Sequence, residues 1–378
     1  MADVMVKMKV GLAFNLIREE ILEGRPIDAI AEYDSIGTID AIKTAIESGG
    51  HGVVLIEADE NFSENLKKAK PDIVFNITEG LGGECRESYA PNICETFGIP
   101  CTGSGPLTLS IALDKARTKE ILSHNGIPTA KWQVFKSKND VIDPSLRFPL
   151  IVKLLHEGSS MGLDQSSIVE NEKELKKRVE YLISTYHEPA LVEEYLDGRE
   201  FTIGIIGNEI KGKKPKIFPI RETVHETKNS IVLFDIDNEV IPLVEKRKSK
   251  EEIDKYTDEK RWNWHSVCPA EITKDMENEL KIIALSVFKA MDCRDWCRME
   301  IRYREDVPHV LELNPIAGIA PGYWFPKTAE VAGYSYNEFV NLILDAALDR
   351  LGMKKNEKSE KKGTKLEKIE SKVERKRK

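Results

Sequence analysis

The sequence predicts an α/β protein with a parallel sheet in its first hundred residues and further strand–helix units after it. Three observations lead there. Short apolar runs alternate with helix-period segments of about 10–15 residues, the pattern of strands joined by crossover helices. Glycine and proline stops punctuate the segments, as at Gly49-Gly50, Gly98-Ile99-Pro100 and Gly126-Ile127-Pro128. The chain has 378 residues, 41% apolar and 32% charged, enough for two or three domains with a sizeable core.

The elements follow in order. Residues 9–14 (KVGLAF) read as a strand, 36–48 as a helix, 53–56 as a strand, 62–70 as a helix and 72–76 (DIVFN) as a third strand. A helix over 88–97 closes this unit, with a boundary near 103–106. The spacing then predicts one helix over 107–125, strands at 130–135 and 149–153 (PLIVK), a Gly/Ser loop, a helix at 172–185 and a strand at 190–194. Beyond it come a strand at 200–206, a polar stretch from 222 to 265 read as a loop or insertion, and a helix at 274–291. Strands at 298–303 and 309–314 straddle a turn at 304–308, and a last helix spans 336–351. The division expected is 1–104, 105–194, 195–352 and a charged, disordered tail at 353–378.

Charge is uneven. Residues 354–378 hold twelve Lys/Arg and five Glu, so a net −8 for the chain leaves −15 on the rest. An acidic body argues against nucleic acid as the main partner, and the tail has too few apolar groups to dock. Mean hydropathy is −0.37, and no run of eighteen apolar residues occurs, so no membrane span is expected. Six cysteines without a CxxC pair read as reduced thiols, and the cytoplasm is the expected location.

The chemistry has no P-loop pattern, no GxGxxG between strand and helix, and no HExxH. What remains is subtler. In RMEIRY (298–303), Arg298, Glu300 and Arg302 share a strand face; in LELNP (311–315), Glu312 and Asn314 do. If the strands pair, two carboxylates and an amide converge beside an arginine, a set that suits Mg²⁺ and equally suits cross-strand ion pairs. The loop HEGSSMG (156–162) offers backbone N–H groups and two hydroxyls that could close over phosphate oxygens. Lys153 ends an apolar strand and Lys115 lies in LDKARTK, where either could snorkel or face a phosphate. Glu193 and Glu200 in VEEYLDGREFT add acceptors for nucleotide hydroxyl or amino groups.

Taken in order, these stretches resemble the D-alanine–D-alanine ligase family of the ATP-grasp superfamily. The matching segments are 98–122, 149–162, 192–207, 268–273, 293–303 and 311–322, within a likeness over about 8–350 that is weakest in 11–35 and 222–265. The resemblance implies an ATP-grasp fold, an N-terminal parallel α/β domain followed by two α+β subdomains that clamp ATP. It implies an ADP-forming carboxylate–amine ligase of cell-wall (peptidoglycan) biosynthesis, working on amino-acid substrates through an acyl phosphate, as a homodimer. By the same resemblance Lys115 and Lys153 hold ATP phosphates, Glu193 and Leu196 meet the adenine and Glu200 the ribose. Glu157, Ser159 and Ser160 close over the phosphates. Glu300, Glu312 and Asn314 bind two Mg²⁺, with Mn²⁺ as a substitute, and Arg298 and Gly318 stabilise the oxyanion.

Four departures bear on the substrates. The first metal ligand is Glu300 where the family has Asp. The HExS-like signature that holds the donor amine is missing, and Glu32 and Asp34 in Glu32-Tyr33-Asp34-Ser35 are the closest candidates. The loop tyrosine–lysine pattern gives way to LFDIDNEV (233–240). The acceptor-side serine aligns with Tyr323, which Trp324 and Phe325 follow; three aromatics should narrow the pocket.

Overall fold

The computed structural model describes residues 7–210, 212–227, 231–233, 240–257 and 264–353. The expected tail, beyond Met353, and residues 234–239 of LFDIDNEV lie outside the described residues.

Among the described residues thirteen strands form three sheets: β1 Lys9–Phe14, β2 Gly52–Glu57, β3 Ile73–Asn76, β4 Trp132–Phe135, β5 Leu150–Leu154, β6 Ile168–Val169, β7 Ala190–Glu194, β8 Arg199–Ile206, β9 Lys216–Ile217, β10 Arg221–His225, β11 Trp264–Val267, β12 Trp296–Arg304 and β13 Val307–Asn314. The helices are α1 Ile36–Ser48, α2 Phe62–Ala69, α3 Tyr89–Thr96, α4 Pro106–Leu113, α5 Lys115–His124, α6 Glu172–Tyr186, α7 Ile241–Val244, α8 Lys250–Thr257, α9 Lys274–Ala290, α10 Trp324–Val331 and α11 Tyr336–Arg350.

The first sheet is parallel, ordered β2-β1-β3, and covered on both faces as parallel sheets require. Val10, Leu12 and Phe14 point to one side, where α1 and α11 bury Ile42, Ile46, Phe339, Ile343 and Leu344. Ala13 and Val74 point to the other, onto Phe62 and Leu66 of α2 and Cys94 of α3. Thus the last described helix completes the cover of the first sheet, and Asn341 Nδ2 donates to Ala45 O of α1 at 2.6 Å. Asp295, wholly buried, fastens the neighbouring parts together. It accepts from Gly103 N–H, Asn208 Nδ2 and the Arg350 guanidinium, all at 2.8 Å.

The second sheet is antiparallel, β4-β7-β5-β6, and α6 packs on it through Leu175, Val179 and Leu182. The third, β11-β10-β8-β12-β13 with β9 against β8, is backed by α9 through Leu280, Ala284 and Val287. Hairpin β12–β13 turns through Glu305 and Asp306, both at positive φ (51° and 59°), the geometry of a two-residue turn that matches strand twist. The described cysteines are unpaired, and no helix among the described residues is long and apolar enough to cross a membrane.

Three sequence expectations need correction. The helix expected over 107–125 is broken at Asp114. That residue is extended (ψ 100°) and its carboxylate accepts from the N–H groups of Ala116 and Arg117, so α5 restarts with Lys115 as its first residue. The stretch 222–265 is not simply a loop: β10 enters it, β11 leaves it, and α7 and α8 lie between. Val240, Val244 and Ile253 there pack on Leu22, Ile27 and Ile30, so the two stretches of weakest resemblance share one small core. Finally, the aromatics after Gly322 do not all crowd a pocket. They open α10, and Phe325, 1% exposed, fills the interior against Phe218 and Phe339. A Cβ on Gly204 would lie 2.1 Å from its ring, so only glycine fits there.

Candidate active site

The register of β12 and β13 sets the site. Arg298 faces Asn314 and Glu300 faces Glu312, with the ladder shifting only after Glu300. Arg298 Nε donates to Glu300 Oε1 at 2.8 Å, and Asn314 Nδ2 donates to Glu300 Oε2 at 3.0 Å and Glu312 Oε1 at 3.3 Å. Burial pushes the Glu300 carboxyl up to about 7, with Glu312 and Glu200 adding repulsion against the pull of Arg298. Glu312 goes the other way: burial is outweighed by Lys115, Lys153 and Arg298, which hold it below the ordinary value.

A cavity of about 100 Å³ opens over this row. Of the residues singled out in the sequence, Glu32, Asp34, Lys115, Ser159, Arg298, Glu312, Asn314, Gly318 and Tyr323 line it. Lys153, Glu157, Ser160, Glu193, Leu196, Glu200 and Glu300 lie outside its lining.

The glycine loop between β5 and β6 is fastened from several sides. Glu32 accepts from Gly158 N–H at 2.7 Å, and Arg86 bridges Glu32 (2.5 Å) and Glu157 (2.8 Å) while donating to His156 O (2.9 Å). The Lys115 ammonium reaches Glu157 O. Ser159 and Ser160 sit at positive φ (47° and 59°), and Ser160 Oγ donates to Val232 O at 3.0 Å. Gly158–Gly162 also has G-x-S-x-G spacing, but it links two antiparallel strands rather than a strand to a helix, and Ser160 is turned away to the insertion; it is not a nucleophile elbow. Glu32, then, is a loop anchor with its charge met by Arg86.

Beside the cavity lies a second polar group. Glu193, 1% exposed, is shared by the ammonium groups of Lys153 and Lys119, which together bring its pKa down to about 2 against burial. Lys119 also donates to Thr129 Oγ1 at 2.7 Å. The sequence reading passed over Lys119; its one signal is its place a helical turn after Lys115. Leu196 is buried in the short link between β7 and β8. Glu200 pairs with Arg302 (2.6 Å) and with His225 Nε2 (2.9 Å).

Part of the cavity lining is acidic. Asp34, Glu79 and Glu87 all belong to it, the last two also missed in the sequence. Burial raises Asp34 to about 8, and burial together with Glu32 raises Glu87 to about 8 and Glu79 well above its usual range. Such a wall is stabilised by a cation. Tyr323 also lines the cavity, 47% exposed rather than in the core, and its ring lies so close to Gly318 that a Cβ there would meet Cδ2 at 2.8 Å.

Comparison with known proteins agrees with this architecture. The family model described as D-ala D-ala ligase C-terminus matches residues 121–345. An uncharacterized protein of Sinorhizobium fredii is 30% identical over 82% of this chain and 86% of its own length. The D-alanine–D-alanine ligase of Carboxydothermus hydrogenoformans is 29% identical over 83% of this chain and 94% of that protein. Among solved structures, D-alanine–D-alanine ligase from Bacillus anthracis complexed with ATP is similar with a TM-score of 0.67 at 20% identity, covering 90% of this chain and 98% of that one. VanG D-Ala:D-Ser ligase from Enterococcus faecalis gives 0.65 at 19%, covering 90% and 100%. These two likenesses establish the ATP-grasp fold, and the family model, spanning more than half of the sequence, establishes that the chain belongs to the D-alanine–D-alanine ligase family.

Proposed function

We propose that the chain is an ATP-dependent, ADP-forming ligase that activates a carboxylate as an acyl phosphate, which an amine then attacks to form an amide bond and release phosphate. Its reactants are amino acids or close relatives. The observation that supports this most is the set Arg298, Glu300, Glu312 and Asn314, three of which line a cavity that Asp34, Glu79 and Glu87 also line. In this reading 105–194 and 195–352 clamp the nucleotide, and 1–104 supplies the wall that receives the amine.

The carboxylate pair fits a hard divalent cation. Buried Glu300 and half-buried Glu312 face each other across a ladder, and no three His, Cys, Asp or Glu side chains cage a metal by themselves among the described residues. The remaining ligands are therefore an amide, water and phosphate oxygens, which is the habit of Mg²⁺. Glu300, Glu312 and Asn314 hold it, Asn314 by turning its amide over to present Oδ1. Bound Mg²⁺ neutralises phosphate charge; two ions, replaceable by Mn²⁺, and a cytoplasmic homodimer belong to the same proposal.

The chain's own groups do the rest. Lys115 and Lys153 meet phosphate oxygens, with Ser159 and the loop backbone above them. Adenosine lies along Glu193, Leu196 and Glu200. Arg298 and Gly318 N–H donate to the oxygen that gains charge as the acyl group is attacked, a type of stabilisation worth on the order of 10²–10³ in rate per donor. Asp34, Glu79 and Glu87, rather than Glu32, receive the donor's ammonium group.

The test is ADP release with Mg²⁺ and ATP across D- and L-amino acids, singly and in pairs. ADP production that requires an amino acid supports the reading. Its absence for every pair, or ADP release indifferent to amino acid, would refute it. A second reading, in which the acceptor is not D-alanine, is favoured by the Tyr323 ring over Gly318.

A further inference from the structure

Arg221 is a buried cation that makes no direct ion pair among the described residues, although Glu200 and Glu300 lie near enough to favour its charge. It is 3% exposed on β10, its guanidinium lies 3.9 Å from the centre of the Trp324 ring, and Nη1 donates to Thr223 Oγ1 at 2.8 Å. Nearby carboxylates are committed elsewhere: Glu222 to Arg199, Glu200 to Arg302, Glu300 to Arg298. Among the described residues none forms an ion pair with Arg221.

A second unmatched group stands next to it. Thr202 is opposite Arg221 on β8, 1% exposed, and its Oγ1 meets no hydrogen-bond partner. Thr202 in turn faces Glu300, and Glu300 faces Glu312. Arg221, Thr202, Glu300 and Glu312 therefore form one row across four strands on a single sheet face, and Glu312 at its end lines the cavity. Two strand spacings, roughly 10 Å, separate the Arg221 and Glu300 backbones. Arg298 approaches the same Trp324 ring at 5.9 Å, so the two guanidinium groups flank one indole.

Burying a guanidinium without a direct ion pair and a hydroxyl without a partner are both unfavourable. Both are relieved by one kind of ligand: an oxygen anion, which a planar guanidinium fork grips in two places and a hydroxyl can complete. Stacking on Trp324 holds that fork flat. Burial brings Arg221's pKa to about 10, which leaves it charged at neutral pH.

We propose that Arg221 and Thr202 hold an oxyanion of a reactant, a carboxylate or a phosphoryl group, beyond Glu300 in the row. The anion site follows from the geometry alone; only the choice between the two sources rests on the ligase reading.

Three variants test it: Arg221→Met, which keeps length and loses charge, Arg221→Lys, and Thr202→Val, which loses only the hydroxyl. Stabilisation by inorganic phosphate, read as the shift in melting temperature, should shrink in Arg221→Met and Thr202→Val and return in part with Arg221→Lys. This arm needs no turnover and so stands even if no amino acid stimulates ADP release. With the pair found in the ADP screen, Arg221→Met should raise one KM by about 10- to 100-fold, since each lost charge-assisted contact is worth about that in affinity. A rise confined to an amino acid identifies the acceptor carboxylate; weaker ATP binding by calorimetry identifies the phosphoryl group. If Arg221→Met does not fold, Thr202→Val carries the same readouts. Phosphate shifts, KM values and ATP affinity all unchanged in the folded variants would overturn the proposal.

Discussion

Replacing Lys119 with methionine tests whether the ion pairs around Glu193 hold this part of the molecule together. Lys119 and Glu193 are each 1% exposed, so neither charge can fall back on water if its partner goes. Removing one member of a buried pair typically costs about 3–5 kcal/mol because the other is stranded. Here the stranding is partial: Glu193 keeps Lys153. Lys119→Met should therefore cost about 2–3 kcal/mol, near the lower end. Glu193→Gln strands two ammonium groups at once and should cost about 4–5 kcal/mol. The double variant should be less destabilised than the sum by about 1–3 kcal/mol, since removing both partners removes the mismatch. The assay is urea unfolding by circular dichroism with tryptophan fluorescence, run on all three variants. A Lys119→Met protein as stable as the parent, or one less stable than Glu193→Gln, refutes the reasoning.

Other outcomes follow from the site. Glu312→Gln should abolish turnover while the melting temperature moves little, since shape is kept and relief of the repulsion with Glu300 offsets the lost attraction to Lys115, Lys153 and Arg298; full activity would remove Glu312 from the metal set. Tyr323→Ser should shift acceptor preference toward D-alanine by uncovering Gly318, and an unchanged ranking of acceptors in the ADP assay would show that the ring does not select. His156 is raised to about 9 because burial, which lowers it, is outweighed by the carboxylates of Asp114 (3.7 Å) and Glu188 (3.6 Å). Its folded value lies above its unfolded one, so the stabilisation is complete below about pH 6.5 and lost as pH rises through 9, up to about 3 kcal/mol. Urea midpoints between pH 6 and 10 should fall more steeply for the parent than for His156→Gln; parallel curves would contradict this.

How much of this could be read in the chain depends on what each residue faces. Strand β1 and helix α1 carry the limits expected for them, because apolar side chains alone decide their faces. The β12–β13 pair was legible for the same reason: period two puts Arg298 with Glu300, and Glu312 with Asn314, before any fold is known. Strand β10 was not. Its cavity-facing positions are Arg221, Thr223 and His225, so function replaced the apolar alternation that marks a strand. Lys119 and Arg86 were missed because a lysine or arginine on a helix ordinarily snorkels to water, and only tertiary contacts bring Glu193 and Glu32 to them. Glu79 and Glu87 follow β3 in a loop without periodicity, so nothing local distinguished them from solvated acids.

The placement of α11 on the first sheet has a consequence for how the chain is made. Strand β1 leaves the ribosome early, yet Val10, Leu12 and Phe14 are only partly covered on that side by α1 until residues 336–350 exist to supply Phe339, Ile343 and Leu344. During synthesis the opening segment must wait, its apolar face half sealed, while the whole middle of the protein is produced. A fragment ending near residue 104 should accordingly behave as a sticky intermediate rather than an autonomous unit. In the finished protein, amide exchange in β1 and in α11 should slow and quicken together, because the two termini close one core and open as one.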